Sequence, residues 1–420
     1  MSASVHRRHA LLAAAILLIL GPGMSFAQPS GADLLSVDSG GCLWKTTPTG
    51  NATRLLALPA VAHGLCVHHD NTLLYITQSG SPGQIVQFDP VNRVVVTVFN
   101  SPTLTPYEVI QNADGDLVFT GAAPGPLFGL FKLSGGQVST IITTVQLGVQ
   151  TTSLSAGLGI NVDTGNYLLV GGAYAPWAGQ KVWDVSDIGV VVTLGSSGNS
   201  RYSHTQDPDT GDIYIGGYQE IFVLKRGMPD ANTLLFGPAD FYAITMERSS
   251  APQSVIVSRS AAYIHRIDVG SLAITSVIVP NSGSTTYETV FEQHRTLATV
   301  KTGPRRWQIK LNFGPSEARY RYLLALSLHG VRPAAKLPDG RRIHLMPDDL
   351  TVLSLRDQLP AYFNPGLGIL DPAGCATGWL DVSTLPAPPP LFRLPVYIAA
   401  LTVGPNGVSQ ISKPVTLLLP

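Results

Sequence analysis

The chain is poor in cysteine, in charge and in long apolar runs. Three cysteines in 420 residues, Cys42, Cys66 and Cys375, are too few to staple a fold this size, and an odd count leaves at least one thiol unpaired or bonded to another chain. Only 13% of residues are charged, with 27 basic and 27 acidic side chains. Phosphate binding draws its affinity from clustered Lys and Arg, so this balance argues against a nucleic-acid partner. Beyond the first thirty residues, no stretch approaches the ~20 apolar residues that span a bilayer. Cofactor and catalytic signatures are missing as well. The sequence has no Gly-x-Ser-x-Gly elbow, Cys-x-x-Cys pair, phosphate-cradling loop or dinucleotide fingerprint, and so implies no cofactor.

What is abundant is turn-forming residues, 42 Gly and 32 Pro. At the N-terminus, His6, Arg7, Arg8 and His9 precede an apolar run from Leu11 to Leu20. Gly21-Pro22-Gly23 then breaks it ahead of Ser25-Phe26-Ala27. This pattern reads as a secretory signal peptide over residues 1–27, cut before Gln28. Residues 28–302 then form one unit and 303–420 another.

Internal repetition organises the first unit. Segments Asp33–Val37, Thr72–Ile76, Asp116–Thr120, Asn166–Val170, Asp212–Ile215, Ser254–Ser258 and Thr296–Val300 are near-copies, spaced by roughly 40 to 50 residues as propeller blades are. A third strand follows most of them, and a more β-branched fourth follows four. Four strands per repeat, Asp-Gly and Thr-Gly turns and no convincing helix describe an all-β protein, a β-propeller. Seven copies favour seven blades; six follow if Thr296–Val300 is not a blade strand. The first repeat lacks an innermost strand, which Tyr287–Glu292 at the far end could supply. After Gly303-Pro304 the period disappears. Seven or eight strands, Thr351–Leu355 among them, then suggest a C-terminal β-sandwich of about 115 residues.

The repeated Asp-x-x-Gly-Asp turn feeding strands such as Asp212–Ile215 and Glu220–Leu224 resembles the secreted NHL and SMP-30-like β-propellers over about residues 31–302. The segment from Trp307 onward, with Leu324-Ala325-Leu326-Ser327 and Gly368-Ile369-Leu370-Asp371-Pro372-Ala373-Gly374, looks like a C-terminal β-sandwich of secreted bacterial proteins. The propeller resemblance implies lactonases, lyases or plain interaction platforms, so it leaves activity open.

Propeller ligands bind where the innermost strands converge on the channel. Alignment of those strands places His63, Tyr107, Ala156, Tyr202, Tyr242 and Glu288 at one level, with Gly64, Glu108, Gly157, Ser203, Ala243 and Thr289 next. With His204, these give a channel-mouth set of His63, Tyr107, Glu108, Tyr202, His204, Tyr242 and Glu288. Their aromatic faces and hydrogen-bonding groups suit a small polar molecule or a carbohydrate; an extracellular protein is another possible partner. The alternative is a metal-assisted hydrolase or lyase acting on a small ester, lactone or sugar derivative, with Glu108, His204 or Glu288 as acid/base or ligand groups. Asn161, Asp163, Asp114, Asp207 and Asp209 fall in turns, where their role is to accept backbone N–H bonds. His68-His69-Asp70 reads as a turn, since adjacent residues of a strand point to opposite faces. Cys42 and Cys66 sit in neighbouring repeats, as a disulfide or as two thiols. Export predicts that mass spectrometry of the mature chain will find Gln28 as its first residue; an intact N-terminus on exported protein would refute the cut.

Overall fold

The computed structural model describes residues 33–68, 73–124, 127–148, 157–171, 181–196, 203–207, 210–217, 219–236, 241, 243–246, 255–259, 263–279, 286–291, 297–332, 334–337, 341–356, 358–385, 394–405 and 407–419. The signal segment, Tyr202 and Tyr242 therefore lie outside the described residues, as does the side chain of Glu288.

Up to residue 291 the described strands pair into six four-stranded antiparallel sheets. Five are consecutive in the chain. Their first strands are Val61–Val67, Thr105–Gln111, Gly157–Ile160, His204–Gln206 and Ala243–Met246. The remaining sheet takes its first strand from the far end: Thr286–Phe291 pairs with Leu34–Asp38, which continues to Cys42–Thr46 and Ala52–Ala57. The first strands touch one another in cyclic order, the one at 286–291 contacting both 61–67 and 243–246. Sheets arranged face to face around an axis in this way make a β-propeller.

The residue pattern explains the stacking. Second strands such as Leu34–Asp38, Tyr167–Gly171 and Ile213–Gly216 are buried at every position. Tyr167–Gly171 and Ile213–Gly216 read as near-continuous apolar runs because both faces of each sheet are covered, while Leu34–Asp38 also buries Ser36 and Asp38. Each junction holds its own apolar cluster. Leu43 and Phe88 share one, Ile85 and Phe119 the next, Val118 and Trp183 the third. Val182 with Phe222, Tyr214 with Ile267, and Leu34 with Ile264 complete the circuit. By contrast, Val94, Val95 and Val96 on an outermost strand are exposed.

Thr296–Val300, the seventh near-copy of a second strand, falls largely in the strand Leu297–Gly303, which pairs with Arg306–Asn312 in a sheet completed by Cys375–Asp381 and Phe363–Asn364. The hairpin to Arg306–Asn312 is tight, residue 303 facing Arg306, and the next strand of the sheet is Cys375–Asp381 rather than a blade strand. Leu297–Gly303 is therefore described with the C-terminal unit, whose sheet it shares. A second sheet joins Leu367–Ile369, Arg321–Ser327, Leu394–Gly404 and Gly407–Ile411, with Val415–Leu419 also on the long strand. Trp307, Ile309 and Leu311 of one sheet meet Leu324, Ile398 and Leu417 of the other in a shared core. Thr351–Leu355, read as a strand, is part of a helix over Asp349–Leu355. Asp348 and Thr351 form a capping box there, Asp348 accepting the Thr351 amide at 2.8 Å. That local bonding outweighs the β-branched character of Thr351 and Val352.

The turns between first and second strands hold the two units together. Asn112 Oδ1 accepts the amides of Asp114 and Asp116, at 3.1 and 2.9 Å, and Asn161 Oδ1 accepts that of Asp163. Asn161 thus plays the turn role expected of it, whereas Asp114 and Asp163, expected to accept backbone N–H bonds, here donate their amides, and Asp209 lies outside the described residues. The turns also aim the acids outward: Asp114 accepts the Trp307 indole N–H at 3.1 Å, and Asp163 pairs with Arg332. Arg332 further donates to the Asp207 carbonyl at 3.1 Å, and Tyr397 donates to the Asp163 carbonyl at 2.6 Å. Gly211, at φ +81°, leaves room for Arg332, whose Nη2 would lie 2.6 Å from a Cβ there.

The Arg332 side chain is only 8% exposed, so loss of its carboxylate would leave a guanidinium short of a counter-charge. Asp163→Ala is expected to destabilise the protein by about 2–3 kcal/mol. Urea unfolding checks this, and a change below about 0.5 kcal/mol would show that the pair does not hold the junction.

Candidate functional site

On the ring axis lies a cavity of about 280 Å³. Its wall comes from the first strands of five sheets, including Leu65, Glu108, Gly159, His204 and Thr245; Leu297–Thr299 and Lys413–Thr416 of the C-terminal unit also line it. The side of the ring where first strands end, at residues such as Ala113 and Val162, faces that unit. Thr299 Oγ1 donates to the Ala113 carbonyl at 2.9 Å, and Thr416 Oγ1 to that of Val162 at 3.1 Å. The cavity is thus floored by the second unit.

Local backbone chemistry sets the wall. First strands at 61–67 and 105–111 carry irregular register, between Ala62 and Leu65 and between Pro106 and Val109. An extra residue in a strand bends it and frees an amide from the ladder. Here a threonine of the second strand takes that amide: Thr77 Oγ1 accepts from Gly64 at 2.7 Å, and Thr120 Oγ1 from Glu108 at 3.1 Å. Thr77 also donates to the Tyr107 carbonyl, bridging the two sheets. Gly64 is required at this seam, because a Cβ would sit 2.4 Å from the same carbonyl.

The residues singled out from the sequence separate into two groups. Glu108 and His204 line the cavity, while His63 and Tyr107 stand earlier on their strands and do not. His63 Nε2 meets Ser79 Oγ at 2.9 Å, and its ring lies edge-on to Tyr107 at 5.2 Å between centroids. Tyr107 stacks on Phe128 at 6.1 Å. The backbone of Glu288 is in the first strand that closes the ring, opposite Val37. The alignment missed Gln206, Gln111 and Lys413, which also line the cavity. Gln206, two residues after His204, was within reach of strand alternation. Lys413 belongs to the other unit, and nothing local in its sequence points to the channel. Among the described residues, no three His, Cys, Asp or Glu side chains are placed to share an ion. No disulfide joins Cys42, Cys66 or Cys375.

No family model matches the chain, and no curated protein matches it in sequence. Among solved structures it is similar to a chain of a nidogen/laminin complex, at 14% identity and TM-score 0.48 over 62% of this chain and 97% of that one. It is also similar to a protein of unknown function from Bacteroides caccae, at 12% identity and TM-score 0.45 over 62% and 98%. A gluconolactonase from Xanthomonas campestris is similar at 12% identity and TM-score 0.44 over 69% and 94%. The propeller assignment stands on the sheet order, the ring of first strands and the six junction clusters.

Burial favours the neutral form of two histidines on the first strands. Burial lowers the pKa of His204 from 6.5 to about 4, and that of His63 to about 4. Between those values the unfolded chain takes up protons that the folded chain refuses, so stability is fully present above pH 6.5 and lost as pH falls towards 4. Each imidazole contributes on the order of 2–3 kcal/mol to that loss once partial exposure is allowed for. Thermal unfolding should therefore show a falling midpoint from pH 7 to 4 and a shallower fall in His204→Phe. Equal slopes for the two proteins would show that His204 is protonated in the folded state.

Proposed function

We propose that this chain is an extracytoplasmic binding protein. In this reading it is a six-bladed β-propeller with a C-terminal β-sandwich, and the channel between them holds a small molecule. The observation that carries the reading is the axial cavity of about 280 Å³, floored by the second unit. Ligand pockets run from roughly 300 to 1,000 Å³ and combine an apolar wall with a few polar groups. This one lies just below the small end of that range, with Leu65, Val109 and Ile160 beside Glu108 and His204. A floor on the channel turns a passage into a pocket, which favours retention over transit. The channel-mouth residues His63 and Tyr107 stand on the approach. Residues 1–27, with their basic start, apolar run and small residues at the cut, support export.

Gly159 offers the test. A Cβ there would lie 2.9 Å from His204 Nε2, so Gly159→Leu drives the imidazole into the cavity and fills it. Ligand-observed NMR on the full chain, screening a mixture of small neutral and charged fragments, should find binders that Gly159→Leu loses at least about tenfold. Unchanged binding in a variant with unaltered circular dichroism would overturn the channel as the site. Turnover of a small lactone or ester, lost in His204→Phe, would replace the binding reading with the hydrolase one.

A further inference from the structure

The kind of molecule the cavity suits can be argued from which of its polar groups are already occupied. Ser203 Oγ donates to the Ile244 carbonyl at 3.1 Å, and Gln111 Nε2 to that of Gly115 at 2.9 Å. Gln206 Oε1 accepts the Val162 amide at 2.9 Å. Thr299 and Thr416 are spent on the floor, as described above. Glu108 and Lys413 have partners of their own. His204 stands apart, because its Nδ1 is sealed from solvent and has no hydrogen-bond partner. A buried polar atom left unsatisfied costs about 1–3 kcal/mol, and nothing in the packing of this wall uses the nitrogen. A leucine or phenylalanine would fill the same space without that cost.

We infer that the channel takes an uncharged, largely apolar molecule carrying one hydroxyl, a phenol or compact alicyclic alcohol, with the hydroxyl bound by His204. This rests on the reading of the channel as a ligand site. A neutral imidazole offers one donor and one acceptor, the complement of a hydroxyl, which also does both. Half a turn about Cβ–Cγ exchanges Nδ1 with Cδ2, so either nitrogen can serve the cavity side without backbone movement. The rest of the molecule would lie against Leu65, Val109, Leu158, Ile160 and Ile244. A sugar fits poorly, since its several hydroxyls would be stripped of water and find most polar groups taken. A carboxylate fits poorly too, because an imidazole whose pKa has fallen to about 4 supplies no counter-charge at neutral pH, and Lys413, the cation that lines the cavity, already has a partner.

Four probes separate these classes: 4-methylphenol, toluene, 4-methylbenzoate and glucose, titrated into the full chain at pH 7 and followed by ligand-observed NMR. The expected order is 4-methylphenol tightest, toluene weaker by about tenfold, and no binding of the other two. In His204→Phe, 4-methylphenol should fall to the level of toluene while toluene is unchanged. If that variant does not fold, ¹⁵N shifts of the wild-type His204 ring decide, moving with 4-methylphenol and not with toluene. Failure of 4-methylphenol to bind, equal binding of toluene, tighter binding of glucose or 4-methylbenzoate, or indifference to His204 overturns the ligand class. If the fragment screen still finds binders that Gly159→Leu abolishes, the channel reading survives that result. If 4-methylphenol binds but Gly159→Leu leaves it unchanged, the channel reading falls with it.

Discussion

The fold depends on one pairing, that of Thr286–Phe291 with Leu34–Asp38, at a register setting Leu34 against Phe291 and Leu35 against Val290. Every other sheet in the ring is built from consecutive segments and could form by local hairpins. This one joins residues some 250 positions apart, and its cost is the loop closure that such a contact demands. In return it removes the two exposed sheet faces that an open arc of blades would leave. Leu34, Val257 and Ile264 then share a core that exists only when the ring is closed. A defined axis, and so a defined cavity, follows from that closure.

The turns at the ends of first strands carry a double load. Asn112 and Asn161 organise the backbone, which frees Asp114 and Asp163 to face the C-terminal unit. Asn161 is held in turn by Asp184, to which it donates at 2.7 Å, as does Thr164 at 2.8 Å. Ala113 and Val162, apolar residues in otherwise polar turns, pack against the two cores of that unit. The same contacts that join the units therefore place Thr299 and Thr416 under the channel. Stability of the junction and the shape of the cavity are one property.

Much of the propeller is legible in the sequence because blade packing imposes a period. Tyr167–Gly171 and Ile213–Gly216 must be apolar on both faces, and that constraint recurs at each sheet. The missing innermost strand of the first repeat was legible for the same reason. Leu297–Gly303 misled because its Leu-Ala-Thr-Val core meets the identical requirement in a different sheet, whose later strand, Cys375–Asp381, is remote in sequence. The helix at Asp349–Leu355 was hidden by β-branched residues, although Asp348 and Thr351 carried its capping signal. At the site, Glu108 and His204 could be found because they follow strand positions. The depth of the cavity and its floor could not, since they depend on how a second unit docks.

That docking changes what a polar residue on the channel wall means. In a channel open at both ends, water would satisfy His204 at little cost, and its imidazole would carry no information. Beneath a floor of Thr299 and Thr416 the same side chain lies in a wall tight enough to hold its pKa near 4 and seal its Nδ1. Gly159 deepens the point. A side chain at that position would displace the ring, so the backbone leaves room for an imidazole whose Nδ1 has no partner among the described residues. A residue accommodated at the expense of packing, and unsatisfied once there, is best explained by a partner that arrives later. The constraint that closes the ring thus leads, through the turns and the floor, to an unpaired imidazole nitrogen as the feature on which the proposed ligand class rests.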